Sequence, residues 1–242
     1  MTPVDVTPTP NRPSPNPFFD YSDFFFFLVL AVPSVFIALM LVRVAKVFLP
    51  IPMAVQLLLV QSVWYFLAFG ALAALFRIRY DRPLWQSLGW RPIAFGGAAT
   101  AILAGPLLAF SIGLLGSALR TPEIDLPFEQ MLSSRATVIF LGVLVVILGP
   151  VAEELAFRGF LMPLLVRNIG AAGGIVATGV IFGGIHGYEY QWSWRHIVLI
   201  SGAGCVFGWA KYKTQSTLAS ALMHSTFNLT QFAAFLIEAR RL

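Results

Sequence analysis

The chain has 242 residues, of which 58% are hydrophobic and only 11% charged, with a mean hydropathy of +0.80. Soluble domains carry about a quarter charged residues, so this composition excludes a water-soluble globular protein and indicates an all-α, polytopic membrane helix bundle. The net charge of +5 is spread over loops rather than gathered on a basic face, which argues against nucleic acid as a partner. The single cysteine, Cys205, excludes an intramolecular disulfide framework and a Cys-based zinc cluster.

Residues 1–23 contain Pro3, Pro8, Pro10, Pro13, Pro15 and Pro17 and few large apolar side chains. They are expected to form a disordered, partly polyproline-like tail. Arg12 is the one base ahead of an apolar run too long for a cleaved signal, so the run 24–47 reads as a retained anchor. Further apolar runs at 53–76, 93–118, 137–165, 170–187, 196–212 and 217–236 bring the count to about seven transmembrane helices. A span needs about 20 residues, which makes the fifth and sixth the shortest candidates. A transmembrane domain is therefore expected over 24–236, with a C-terminal tail at 237–242. Residues 120–136 mix Glu123, Asp125, Glu129 and Arg135 with Leu126, Phe128 and Met131, as an interfacial amphipathic segment would. Tyr188, Tyr190, Trp192 and Trp194 suit an aromatic belt at the membrane surface, and Arg77, Arg79, Arg82 and Arg91 place loop 77–91 on the cytoplasmic side.

The fourth run carries an anomaly, Gly149-Pro150-Val151-Ala152-Glu153-Glu154-Leu155-Ala156-Phe157-Arg158. Each charge at a bilayer centre costs roughly 2.5–3.5 kcal/mol and each large aliphatic residue returns about 0.3–0.6. Three charges nearly cancel the gain from the surrounding Val, Ile, Leu and Phe, so they mark a buried ion pair or chemistry. At about 100° per residue, Arg158 lies about 40° from Glu154, in the favourable acid-before-base order. From Glu153 it lies about 140° away. Glu154 can pair with Arg158, while Glu153 points towards another helix.

Two of the three histidines lie in later apolar runs with a partner one turn away. Phe182 and His186 stand at i and i+4, and so do His224 and Asn228. His196 lies at an interface beside Arg195 and has no such setting. Each intramembrane polar group taken alone is as often a structural strut as a functional one. Together they form a hydrolytic set: Glu153 to deprotonate water, His186 to assist, and His224 with Asn228 to hold an oxyanion. Counting from Thr137 puts Glu153 about 24 Å into the fourth run, so His186, at the end of the next antiparallel run, is expected near the opposite surface.

Glu153-Glu154-x-x-x-Arg158, Phe182-x-x-x-His186 and His224-x-x-x-Asn228, in that order, resemble the CAAX prenyl endopeptidases, also called the lysostaphin-resistance-protein-like or abortive-infection family of intramembrane proteases. The resemblance covers about 135–232. It implies an integral, multi-pass membrane endopeptidase (in the cell membrane if bacterial) acting on a membrane-anchored peptide or protein, with the lipid bilayer as its surroundings. It further implies catalytic Glu153, His186, His224 and Asn228, supported by Glu154, Arg158 and Phe182. A prenylated CAAX-type substrate is implied by the family name alone. Gln215 stands where the family usually shows Gly in a left-handed turn, so that turn is expected to differ.

No metal is expected, since a Glu base with a His can activate water unaided. If zinc is used, Glu153, His186 and His224 are its ligands. Two other readings fit the same residues: a non-catalytic membrane binding or immunity protein of the same fold, and a proton-coupled transporter with Glu153 and His186 as relay groups.

Overall fold

A computed structural model of the chain describes residues 17–124 and 134–239. Of the disordered tail expected over 1–23, residues 1–16 lie outside the described residues, as do 125–133 of the expected amphipathic segment and 240–242 of the C-terminal tail. Residues 17–23 correct that expectation, because Phe19 is buried and the first helix already starts at Tyr21. Those described form helices and connecting turns without strands. Four helical stretches are long and apolar enough to cross a membrane: Tyr21–Phe48, Met53–Tyr80, Phe95–Ala118 and Arg135–Ile185. The protein is an integral, multi-pass membrane bundle.

The first two long helices, α1 (Tyr21–Phe48) and α2 (Met53–Tyr80), lie side by side, joined through Pro50 and Pro52. The chain turns helical three residues before the first apolar run because Asp20 and Asp23 form a reciprocal capping box. Hydrogen bonds from Ser22 hold the Asp20 carboxyl below its ordinary pKa. Asp23 is fully buried and accepts from Arg79 Nη1 and the Tyr80 hydroxyl, both at 2.7 Å. That clamp ties the start of α1 to the end of α2. Just ahead of α1, Phe19 is buried against Phe76 and Phe160, and the Tyr21 hydroxyl donates to Leu164 O. The pair is thereby seated on the helix that carries the two glutamates.

A short helical turn, α3 (Leu84–Ser87), leads to α4 (Phe95–Ala118). The long stretch that follows is built from α5 (Arg135–Val143), α6 (Gly149–Glu154) and α7 (Met162–Ile185), with π-helical stretches at Leu144–Leu148 and Leu155–Leu161. Pro150 has no N–H for the preceding turn, and the helix widens just before it, as expected where an i−4 hydrogen bond is missing. The chain reverses at Gly170, whose φ of 75° is open to glycine and strained for other residues. Glu153 lies seventeen residues before this turn and His186 sixteen after it. Both are therefore about 25 Å from the turn, at the same level. This corrects the expectation that they sit near opposite surfaces: depth counts from the shared turn, not from the start of the run.

The last two helices are α8 (Trp194–Thr214) and α9 (Thr217–Ala239). The second half of α7 meets α8 through Gly179 and Gly183 on one side and Gly204 and Gly208 on the other. A Cβ at Gly183 would lie 2.6 Å from Ile197 O, so only glycine lets the backbones approach this closely. Between α8 and α9, Gln215 takes the left-handed conformation (φ 54°, ψ 21°). The expectation of a different turn is overturned. The Gln215 side chain donates to Tyr212 O at 2.6 Å, a local bond that glycine cannot make. The turn is docked from below, where Thr217 Oγ1 donates to Leu88 O and Ser216 Oγ to Arg91 O, each at 2.6 Å.

Candidate active site

Glu154 and Arg158 are fully buried and paired at 2.9 Å, as their spacing predicted. An isolated guanidinium in such a place is costly, and this one is surrounded. Its Nη2 donates to Gly204 O at 2.8 Å. The rings of Phe182, Phe207 and Phe157 stand 4.6, 5.5 and 5.8 Å from its central carbon, close enough for cation–π attraction. Its Nε has no partner among the described residues.

The Glu154 carboxylate is fully committed. Oε1 takes both Arg158 Nη1 and His224 Nδ1 at 2.9 Å, and Oε2 takes the Ser220 hydroxyl. Glu153 differs in kind: its side chain is 25% exposed, and Oε2 lies 3.8 Å from His224 Nε2. One carboxylate is a buried hub, and its neighbour is open.

Hydrogen bonding also sets the two imidazoles. A carbonyl only accepts, so the 2.7 Å contact of His186 Nδ1 with Phe182 O puts the proton on Nδ1 and leaves Nε2 free. The same holds for His224, whose Nδ1–H faces the Glu154 carboxylate while Nε2 turns to Glu153. Each ring is steadied by an aromatic neighbour. Phe182 lies 4.7 Å from His186, and Phe207 stacks on His224 at 4.4 Å. Phe182 thus touches His186, His224 and Arg158 at once.

Asn228 is brought to the same face of α9, one turn beyond His224. Its Nδ2 donates 2.7 Å to Val145 O, within the π-helical stretch before Glu153. An amide nitrogen carries two protons, so one remains beyond this bond. His196 is elsewhere: it stacks on Tyr190 at 4.9 Å and contacts Ser193.

Two site residues escaped the sequence reading. Ser220 precedes His224 by four positions, so Ser220-x-x-x-His224-x-x-x-Asn228 is one stripe along α9, a spacing that was there to be read. Glu189 follows His186 by three positions, in the turn that leads to α8. Burial raises its carboxyl above the ordinary pKa. As placed, no three His, Cys, Asp or Glu side chains among the described residues converge closely enough to hold a metal ion.

Residues 135–230 match the family model of the Rce1-like type II CAAX prenyl endopeptidases. This segment is a Rce1-like domain. It contains Glu153, Glu154, Arg158, Phe182, His186, His224 and Asn228, and the match supports a CAAX-type intramembrane protease in general terms. A membrane-embedded substrate and a lipid environment follow for the Rce1-like domain. No curated protein and no solved structure matches the chain.

Proposed function

We propose that the Rce1-like domain hydrolyses a peptide bond of a membrane-anchored substrate, with Glu153 as the general base. The observation that carries this reading is the asymmetry of the adjacent carboxylates: Glu154 is occupied by three donors, whereas Glu153 is open. Water held at Glu153 gives up a proton to that carboxylate as its oxygen attacks the peptide carbonyl carbon. The free Nε2 of His186 accepts a hydrogen bond from the same water and keeps it aligned. In its protonated form His224, with Nδ1–H held by Glu154, donates from Nε2 to the developing oxyanion. The second N–H of Asn228 adds to that stabilisation. When the C–N bond breaks, the proton held by Glu153 passes to the leaving amine. A prenylated CAAX-type tail is the substrate class favoured by the family match.

The test uses purified protein in liposomes with a membrane-anchored reporter. The parent should release a fresh amino terminus, and Glu153→Gln should not. Reporter capture without cleavage by the parent, surviving Glu153→Gln, would favour the binding-protein reading.

The reaction as written needs no metal, and no step passes through one. Activity should therefore survive chelation. Stoichiometric zinc in the purified protein, with activity lost to a chelator and restored by zinc, would overturn that part.

A further inference from the structure

The Rce1-like match leaves the first half of the chain without a part in the chemistry, yet α2 brings a polar pair to the open side of the site. Gln61 and Tyr65 stand one turn apart on a mostly apolar stretch whose other polar side chains, Gln56 and Ser62, bond back to the backbone, with Tyr65 about 18 Å along α2 from Met53. Gln61 is exposed on the outer face of the bundle. A polar side chain facing outward at that depth is costly in lipid and marks a pathway or wet opening. Gln61 Nε2 donates 2.8 Å to the Tyr65 hydroxyl oxygen. A phenol has one proton of its own, and that O–H has no acceptor among the described residues.

The ring itself is held. It packs with Val145 and Phe232 on the cluster of Leu58, Leu141 and Leu144. This is the wall that immediately precedes Glu153, and Val145 is also the residue whose carbonyl Asn228 binds. Among the described residues the phenol's one hydrogen bond is the one from Gln61.

We propose that Tyr65 contacts the substrate: its hydroxyl donates to a main-chain carbonyl of a peptide held beside Glu153, and the Gln61–Tyr65 pair marks the lateral opening by which that peptide enters. This rests on the peptidase reading given above. The ligand follows from the chemistry of the surroundings. Glu153 accepts hydrogen bonds when ionised, so an O–H donor on the wall that carries Val145 complements a neutral acceptor. An extended peptide presents such an acceptor at every residue.

Full-length protein in detergent and a farnesylated CAAX-type reporter peptide provide the test. Tyr65→Phe keeps the ring and its packing and removes only the donor. It should lower kcat/KM about ten- to hundred-fold with an unchanged melting temperature, as expected for loss of one aligned donor. Gln61→Leu should give a smaller loss in the same direction, because the hydroxyl is then free to rotate. Values of kcat and KM within about twofold of the parent in Tyr65→Phe would overturn the proposal.

Binding of the uncleaved reporter to Glu153→Gln and to Glu153→Gln/Tyr65→Phe separates this proposal from the peptidase reading. If the parent cleaves nothing, the peptidase reading fails. Weaker capture by the double variant would then still support Tyr65 as a peptide contact, and equal capture would overturn it.

Discussion

Adjacent glutamates with opposite surroundings give the sharpest predictions at the scale of single residues. Glu154 is the meeting point of Arg158, His224 and Ser220, and replacing it by Gln strands a buried guanidinium. Removing one partner of such a pair costs roughly 3–5 kcal/mol. Glu154→Gln and Arg158→Leu should each lower the detergent melting temperature along with reporter cleavage. The double change should regain part of the stability, since no unpaired charge remains. Glu153→Gln should melt at or above the parent and be inactive, because its carboxylate has one distant partner and is partly open. A stable, inactive Glu154→Gln beside an active Glu153→Gln would reverse the two roles.

Gln215 provides a separate residue-scale test. A non-glycine residue in the left-handed region costs on the order of 1–2 kcal/mol, offset here by its bond to Tyr212 O. Gln215→Gly should therefore raise the melting temperature by a few degrees, and a fall would show that the side-chain bond outweighs the backbone strain.

Among the elements, the contact of α7 with α8 decides whether the site assembles. Gly179 lies against Ser201, Gly204 and Cys205, and Gly183 against Ile197 and Ser201, close enough that a Cβ at Gly179 would lie 2.9 Å from Ser201 O. Arg158 Nη2 reaches Gly204 O across this same seam, and Phe182 lies within it. Gly183→Leu should cost at least the 1–3 kcal/mol typical of overpacking. It should abolish cleavage as well, since His186 lies three residues further on. The check is a thermal melt alongside cleavage, and a variant that keeps both would show that the helices slide apart without harm. The π-helical stretches on either side of α6 act on the same scale. The first exposes Val145 O to Asn228, which pins α9 against the turn that presents Glu153.

For the molecule as a whole, the Asp23–Arg79 clamp joins α1 to α2, and the Phe19, Phe76 and Phe160 cluster with the Tyr21–Leu164 bond holds the pair to the Rce1-like domain. The loop after them is docked too, because Leu88 O and Arg91 O receive bonds from the α8–α9 turn. Orientation then follows for the assembly as one body. The four arginines of 77–91 should face the cytoplasm. A cysteine introduced at the exposed Trp85 should resist an impermeant reagent added to intact cells and react once the membrane is opened. Labelling from outside would invert the topology.

Composition alone was enough for the membrane class, and seven apolar runs were enough for the helices, because apolar content and length are sums over neighbouring residues. Local spacing was enough for the Glu154–Arg158 pair and the Phe182–His186 contact, since four residues on one helix are neighbours in any fold. The same spacing showed that Glu153 faced away from that pair, but not what it faced.

Only the tertiary structure decided the rest. His224 and Ser220 reach Glu154 from 70 and 66 residues away, and Asn228 reaches Val145 from 83. These meetings depend on where the chain reverses, at Gly170, and on glycines that let two helices nearly touch. A reversal shifted by one turn of helix would move His186 by about 11 Å, twice the helical pitch, relative to Glu153 while leaving every local motif intact. The motifs therefore name the groups, and long-range packing alone sets which of them touch.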